Sequence, residues 1–309
     1  MASSSGTSRG EPRADFPNRE DAGGAGPELA YLTEAANVHG IDSHALTITR
    51  VQAKTPGGSI SALRYNVEGA SPTTAIALLH GGGQNAHTWD LTVAALGLPV
   101  TALDLPGHGS SHWLEDHDYS PRRLAASVTR ALEILCPDME VLVGMSLGGM
   151  VAISAAPSFP QLREVVLVDV SPGSVLSHGS SIQEIRRLPA ASFETLVERM
   201  AAASPRRAHA GLRHAVWHST RPAEGGRVWR TDPDMQIGSF ADLWPELTSL
   251  APVVTEVLAE YGSFVPAEDR IRLADLLGDR ASLVEGATHS IQNTRPQELA
   301  SILRRIVGQ

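Results

Sequence analysis

Along this chain, short apolar runs alternate with stretches whose apolar residues recur at helical spacing. Residues 45–52 (ALTITRVQ) and 60–67 (ISALRYNV) alternate apolar and polar positions around TPGG, the pattern of a hairpin of half-buried strands. Later runs are almost continuously apolar: AIALLH (75–80), PVTALDL (99–105), EVLVGM (140–145), VVLVDV (165–170), VVTEVLA (253–259) and ASLVEG (281–286). Strands covered on both faces of a parallel sheet have this composition. Between them, Leu124, Val128, Leu132 and Leu135 fall on one face of a helix over 121–135, with Pro121 in its first turn and Ser120 placed to cap it. Residues 296–307 repeat the design behind Pro296. An antiparallel pair followed by alternating strands and helices predicts an α/β fold, a mostly parallel central sheet with helices on both faces.

Residues 171–250 break the alternation. SIQEIRRL, SFETLVERMAAA, RRAHAGLRHAVW and SFADLWPELTSL are helical in period, and nothing between them reads as a strand. The interval is too long for a loop. It predicts an inserted helical cap over the C-terminal edge of the sheet, where open α/β folds bind ligands; the alternative is a set of ordinary helices packed on the sheet. Residues 1–27, rich in Ser, Gly, Pro and charge, lack the apolar core of a signal peptide and read as a disordered tail. The expected division is therefore a tail (1–27), a core in two parts (28–170 and 251–309) and the cap (171–250).

Composition narrows the partners. The chain has 309 residues and a formal net charge of −9, which argues against nucleic acid. Its one cysteine, Cys136, rules out an intrachain disulfide framework and a multi-cysteine metal site. No run approaches the length of a membrane span, so the expectation is a cytoplasmic protein with no membrane partner.

The run VLVGMSLGGM (141–150) carries the sharpest chemistry. Ser146 stands in G-x-S-x-G between a predicted strand and a predicted helix. There a serine occupies a strained turn that exposes its oxygen above the sheet, and the glycines let strand and helix approach. A glycine-rich loop could instead cradle phosphate, but HGGG (80–83) has no following Lys and no G-x-x-x-x-G-K pattern exists.

With LLHGGGQNAHTW (78–89), DLPGHGSS (104–111), GMSLGG (144–149), LVDVSP (167–172) and GATHSIQNTRP (286–296) in this order, the chain resembles the α/β-hydrolase family from about residue 45 to its end, most closely the capped branch. Because position 146 holds serine, the resemblance implies acyl transfer rather than aspartate-nucleophile chemistry. It implies His289 as the base that activates Ser146, an orienting role for His80, and an oxyanion site formed by the N–H groups of Leu147 and Gly82. His87, His108 and His112 are candidates for the pocket mouth, or simply polar loop residues.

The third catalytic group departs from the common pattern. The usual position, after the strand at 253–259, falls near Gly262, which has no carboxylate. Glu260 lies early, and Glu268 and Asp269 fall in the first turn of a helix behind Pro266, where acids complement the helix dipole. Some members carry the acid at the end of the strand before the cap, which here is Asp169. The expectation is a Ser146–His289–Asp169 triad with Glu260 as the alternative acid, no metal and no organic cofactor. The expected reaction is hydrolysis of an ester, thioester or lactone. Carbon–carbon bond hydrolysis, lyase or cyclase chemistry, cofactor-free oxygen chemistry and a silent binding module are the rivals. Trp217, Trp229, Trp244, Met200 and Met235 in the cap point to a small apolar or aromatic acyl substrate, although core packing accounts for them equally well. The sequence carries no signal of oligomeric state.

Overall fold

The computed structural model describes residues 27–70, 76–174 and 181–308; the tail expected over 1–27 lies outside them except for Pro27, which opens a short 3-10 turn, Pro27–Leu29. The chain builds an eight-stranded sheet from β1 (Leu46–Thr55), β2 (Gly58–Val67), β3 (Ile76–Leu79), β4 (Val100–Leu103), β5 (Val141–Met145), β6 (Glu164–Val168), β9 (Val253–Tyr261) and β10 (Ala281–Thr288). Its order is β1-β2-β4-β3-β5-β6-β9-β10. The β1–β2 hairpin is antiparallel, β2 meets β4 antiparallel, and every other pairing is parallel. Every residue of β3, β4 and β5 is buried, as their unbroken apolar runs require, whereas the edge strand β1 exposes much of its polar face.

Two apolar layers cover the sheet. On one face pack α3 (Pro121–Leu135), α4 (Leu147–Ala155) and α9 (Ala267–Leu277); on the other pack α1 (Leu32–Val38), α2 (Asp90–Leu96) and α11 (Pro296–Val307). Pro121 and Pro296 stand in the first turns of their helices, but the Ser120 side chain makes no capping bond. Helix α1 was not foreshadowed, although Leu32, Ala35 and Ala36 carry its buried spacing. Contact between α4 and the sheet depends on glycine. A Cβ on Gly148 would lie 2.4 Å from the Leu79 carbonyl oxygen, and one on Gly144 would lie 2.4 Å from that of Gly148.

Between β6 and β9 the chain forms α5 (Ser181–Arg187), α6 (Phe193–Ala203), α7 (His209–Ser219), β7 (Thr220–Ala223), β8 (Gly226–Trp229) and α8 (Trp244–Ser249), with the short α10 (Ile291–Thr294) following β10. The expectation of a strand-free interval is corrected here, because β7 and β8 pair as an antiparallel hairpin. The Glu224-Gly225-Gly226 turn, with both glycines at positive φ, closes it. The segment is also not uniform. Leu196, Val197, Met200, Leu212, Val216 and Trp229 form a small core of their own, while Phe240, Leu243 and Leu247 are buried in the main core under α4.

Candidate active site

Ser146 sits in the turn between β5 and α4 with φ 51° and ψ −121°, a conformation rare for any residue with a side chain. Its N–H donates to the Val168 carbonyl at 3.2 Å, and its own carbonyl accepts from Gly149 N at 2.9 Å, so both neighbours in the fold hold the turn. Leu147, first in α4, has an N–H with no acceptor inside the helix. The glycine turn after β3 lies directly alongside. A Cβ on Gly81 would approach the Ser146 Cβ to 3.2 Å, and Gly82 and Ser146 border the same cavity of about 500 Å³.

His289 follows β10 and opens on that cavity. Its Nδ1 lies 2.7 Å from Asp169 Oδ2. Asp169 is fully buried just beyond β6, itself at φ 52°, and its other oxygen accepts from Ala259 N at 2.8 Å and Ser263 Oγ at 2.7 Å. Both oxygens are thus occupied by donors, one of them the imidazole. The Phe264 ring stands edge-on to His289 at 4.4 Å between centroids, fixing the ring from the side. The other acids are committed elsewhere. Glu260 Oε2 accepts from Gly286 N at 2.6 Å, Asp269 accepts from Ser171 Oγ and Gly173 N, and Glu268 is exposed. Gly262 lines the cavity without a carboxylate.

Of the histidines considered for the pocket mouth, His87 does not line this cavity and His108 and His112 serve the backbone, as does His80. His80 Nε2 accepts from Leu105 N at 2.9 Å while its Nδ1 faces the Gly81 carbonyl, and burial pushes it down to about 4, so it works as a neutral strut. His108 Nε2 accepts from Gly83 N at 2.7 Å, pinning the glycine turn. His112 bonds the Ser59 carbonyl beside the hairpin. Of the residues taken as substrate-facing, Met200 and Met235 line the cavity and Trp217, Trp229 and Trp244 do not; they are packing residues.

Sequence reasoning missed two features. Glu256, inside the apolar run of β9, is fully buried, and its Oε1 accepts from Val170 N. Burial, reinforced by the neighbouring Asp169 charge, pushes it well above the usual carboxylate range. A polar cluster also ties the turn before α1, the start of α2 and α7 together. His87 bridges Asp90 through Nδ1 (2.9 Å) and Glu28 through Nε2 (2.8 Å), and Asp90 also meets His214 Nε2 at 2.9 Å and the Tyr65 hydroxyl. Burial opposes charge on His87, but Asp90 and Glu28 outweigh it and hold the imidazole up at about 9. The i,i+4 pair His214 and His218 in RHAVWHS was the available signal.

Ligand atoms of His87, Asp90, His214 and His218 lie within 4.8 Å of one another. The His87 and His218 rings, however, stack 3.6 Å apart at 22°, so one ion cannot lie in both ring planes. Both His87 nitrogens already face carboxylates. The arrangement fits a buried ion network better than a metal centre.

Comparisons with known proteins bear on the fold and the class of activity. The model of the "Alpha/beta hydrolase family" matches residues 76–302. Esterase Rv0045c of Mycobacterium tuberculosis is 38% identical over 296 residues, covering 91% of this chain and 95% of that protein. A solved structure of that esterase superposes with a TM-score of 0.80 at 36% identity, covering 91% of this chain and 99% of the other. Pimeloyl-[acyl-carrier protein] methyl ester esterase of Aeromonas hydrophila is 30% identical over 250 residues, 75% of this chain and 95% of that protein. With these matches spanning the sheet and the serine turn alike, the chain belongs to the alpha/beta hydrolase family and is a hydrolase.

Proposed function

We propose that the protein cleaves a small carboxylic ester with Ser146 as nucleophile, His289 as base and Asp169 as the group that orients it. One observation carries the reading: the cavity that exposes Ser146 also receives a histidine whose far nitrogen is bonded to a buried carboxylate. With Nδ1–H donated to Asp169, the Nε2 lone pair is turned toward the cavity and can accept the Ser146 proton. As the hydroxyl adds to the ester carbonyl, the new oxyanion is received by the N–H groups of Gly82 and Leu147. Collapse expels the alcohol, which takes the proton back from His289, and leaves an acyl-serine. Water then adds to that ester, gives its proton to His289, and Ser146 is released with the free acid.

Met145, Met200, Met235, Ile237 and Phe264 supply apolar wall for an acyl chain. The two relatives above are named for ester cleavage, which favours hydrolysis over carbon–carbon scission or oxygen chemistry on the same sheet. Among the described residues no helix is long and apolar enough to cross a membrane, and we read the protein as cytoplasmic. A fluorophosphonate probe tests the assignment. It should label Ser146, with loss of p-nitrophenyl ester hydrolysis, and leave the folded Ser146→Ala protein unmodified and inactive. Undiminished hydrolysis by Ser146→Ala would overturn the mechanism.

A further inference from the structure

The cavity that holds Ser146 is cationic in a chain of net charge −9. Arg186, Arg187, Arg206 and Arg207 line it, and the one carboxylate among the described lining residues is Asp232. Asp232 is already satisfied, accepting from the Tyr119 hydroxyl at 2.7 Å and from Asp234 N, with His117 Nδ1 at 2.8 Å. Among the described residues the arginines therefore have no uncommitted acid within the cavity to neutralise them.

Arg186 is the least compensated. It comes from α5 and lies against the glycine turn, so close that a Cβ on Gly83 would fall 1.2 Å from its Nη1. Only glycine, here at φ +73°, leaves that space. The Arg186 Nε is sealed from solvent with no hydrogen-bond partner among the described residues, and its aromatic contact is the Trp229 ring at 5.7 Å. Among the described residues Arg207 donates only to neutral oxygens, Gly211 O at 3.3 Å and Asn293 Oδ1 at 3.1 Å. Burial pushes both guanidinium groups down to about 10, with no acid to offset it. Arg186 and Arg207 also border an adjoining cavity of about 50 Å³ behind Gly83, so they stand where the two spaces meet.

Both arginines are half-buried, and holding a cation away from water without a counter-ion is costly unless a ligand supplies one. We propose that Arg186 and Arg207 form an anion subsite, and that the ester hydrolysed at Ser146 carries a carboxylate or phosphate group beyond its apolar acyl or alcohol portion. Guanidinium suits either group through paired N–H donors. The inference rests on ester hydrolysis at Ser146 and adds the charge of the substrate to it.

The test compares esters that differ in charge. For p-nitrophenyl hexanoate and mono-p-nitrophenyl adipate, matched in chain length, kcat/KM should favour the anionic ester by about 30-fold or more, carried mainly in KM. Arg186→Met and Arg207→Met should each shrink that ratio, and Arg186→Lys should restore part of it. Butyryl-coenzyme A is run in parallel; preference for it over p-nitrophenyl butyrate would place the anion as phosphate on the leaving-group side. Calorimetry of Ser146→Ala with adipate and with inorganic phosphate gives a reading independent of turnover, in which saturable binding should disappear on adding Arg186→Met. If native protein hydrolyses no ester, the catalytic reading fails while calorimetry still decides the subsite. Equal rates for charged and neutral esters, or anion binding that survives both Arg→Met changes, would overturn the proposal.

Discussion

Replacing Asp169 by asparagine isolates the role of one oxygen. The wild-type carboxylate offers two acceptors, one toward Ala259 N–H and Ser263 Oγ–H and the other toward His289 Nδ1. Asparagine has a single acceptor, and the Ala259 N–H is a fixed backbone donor that cannot turn away. The amide oxygen must therefore face Ala259, which directs the NH₂ group at His289. Nδ1 then becomes an acceptor, the ring proton moves to Nε2, and the nitrogen that should receive the Ser146 proton is already protonated. The loss is that of a wrong tautomer, about 10³–10⁴-fold in kcat, or roughly 4–5.5 kcal/mol in the barrier. Because the bonds to β9 and Ser263 survive, the melting temperature should move by only a few degrees. Glu260, bonded to Gly286 N, has no such lever, and Glu260→Gln should stay within about threefold of the native rate. The assay is p-nitrophenyl ester hydrolysis at pH 8 alongside circular dichroism melts. A folded Asp169→Asn protein within tenfold of native, or a larger loss in Glu260→Gln, would refute the reasoning.

Two further outcomes concern stability. Gly148→Ala drives a Cβ to 2.4 Å from Leu79 O and 2.6 Å from His80 O, both rigid backbone, so it should cost about 3 kcal/mol or more and lower the melting temperature by roughly 10 °C or prevent soluble expression. Gly211→Ala in α7, with nothing within 4 Å, should be neutral or slightly stabilising in the same melts. The Glu28–His87–Asp90 cluster gives stability a pH window. His87 is raised from 6.5 to about 9, so its contribution is complete below pH 6.5 and lost as pH rises through 9. For Glu28, burial raises the carboxyl but the His87 and Arg50 hydrogen bonds lower it to about 2, so its contribution is complete above pH 4.5 and lost as pH falls through 2. Melting temperature should thus be highest between pH 4.5 and 6.5 and decline toward pH 9.5. His87→Gln should lower it at pH 6 and remove the alkaline decline. A native profile that is flat from pH 6.5 to 9.5 would contradict the cluster's charge.

The parts of the fold visible in the sequence are those governed by local pattern. Continuous apolar runs marked the buried parallel strands because such strands need no polar face, and Gly144, Ser146 and Gly148 marked the serine turn because few other residues fit there. What escaped depends on tertiary partners. β7 and β8 are short, half-exposed and rich in Arg, Pro and Gly, so they have neither the length nor the alternation of a strand. Asp169 was distinguishable from Glu260 only weakly, since both flank apolar strands, and the difference lies in which one meets His289. Glu256 was hidden by apolar neighbours. The exposure of Arg186 to the cavity could not be read from α5 at all, because an unpaired cation is defined by what is missing around it.

Asp169 is the last acidic side chain before the chain leaves the sheet, and its supporting donors Ala259 and Ser263 lie at and just beyond the strand by which the chain returns. Asp269, holding Ser171 and Gly173, ties the departing chain to α9 on the far side of that return. Among the described residues the acid is thereby anchored without help from α5 to α8, whereas Arg186, Met200 and Arg207 all come from that stretch. Reactivity and choice of substrate are consequently heritable as separate units. Substitution, insertion or exchange within the intervening helices can redirect what is bound while the proton-transfer geometry is passed on intact, which gives a lineage built on this chain a way to diversify its substrates without rebuilding its chemistry.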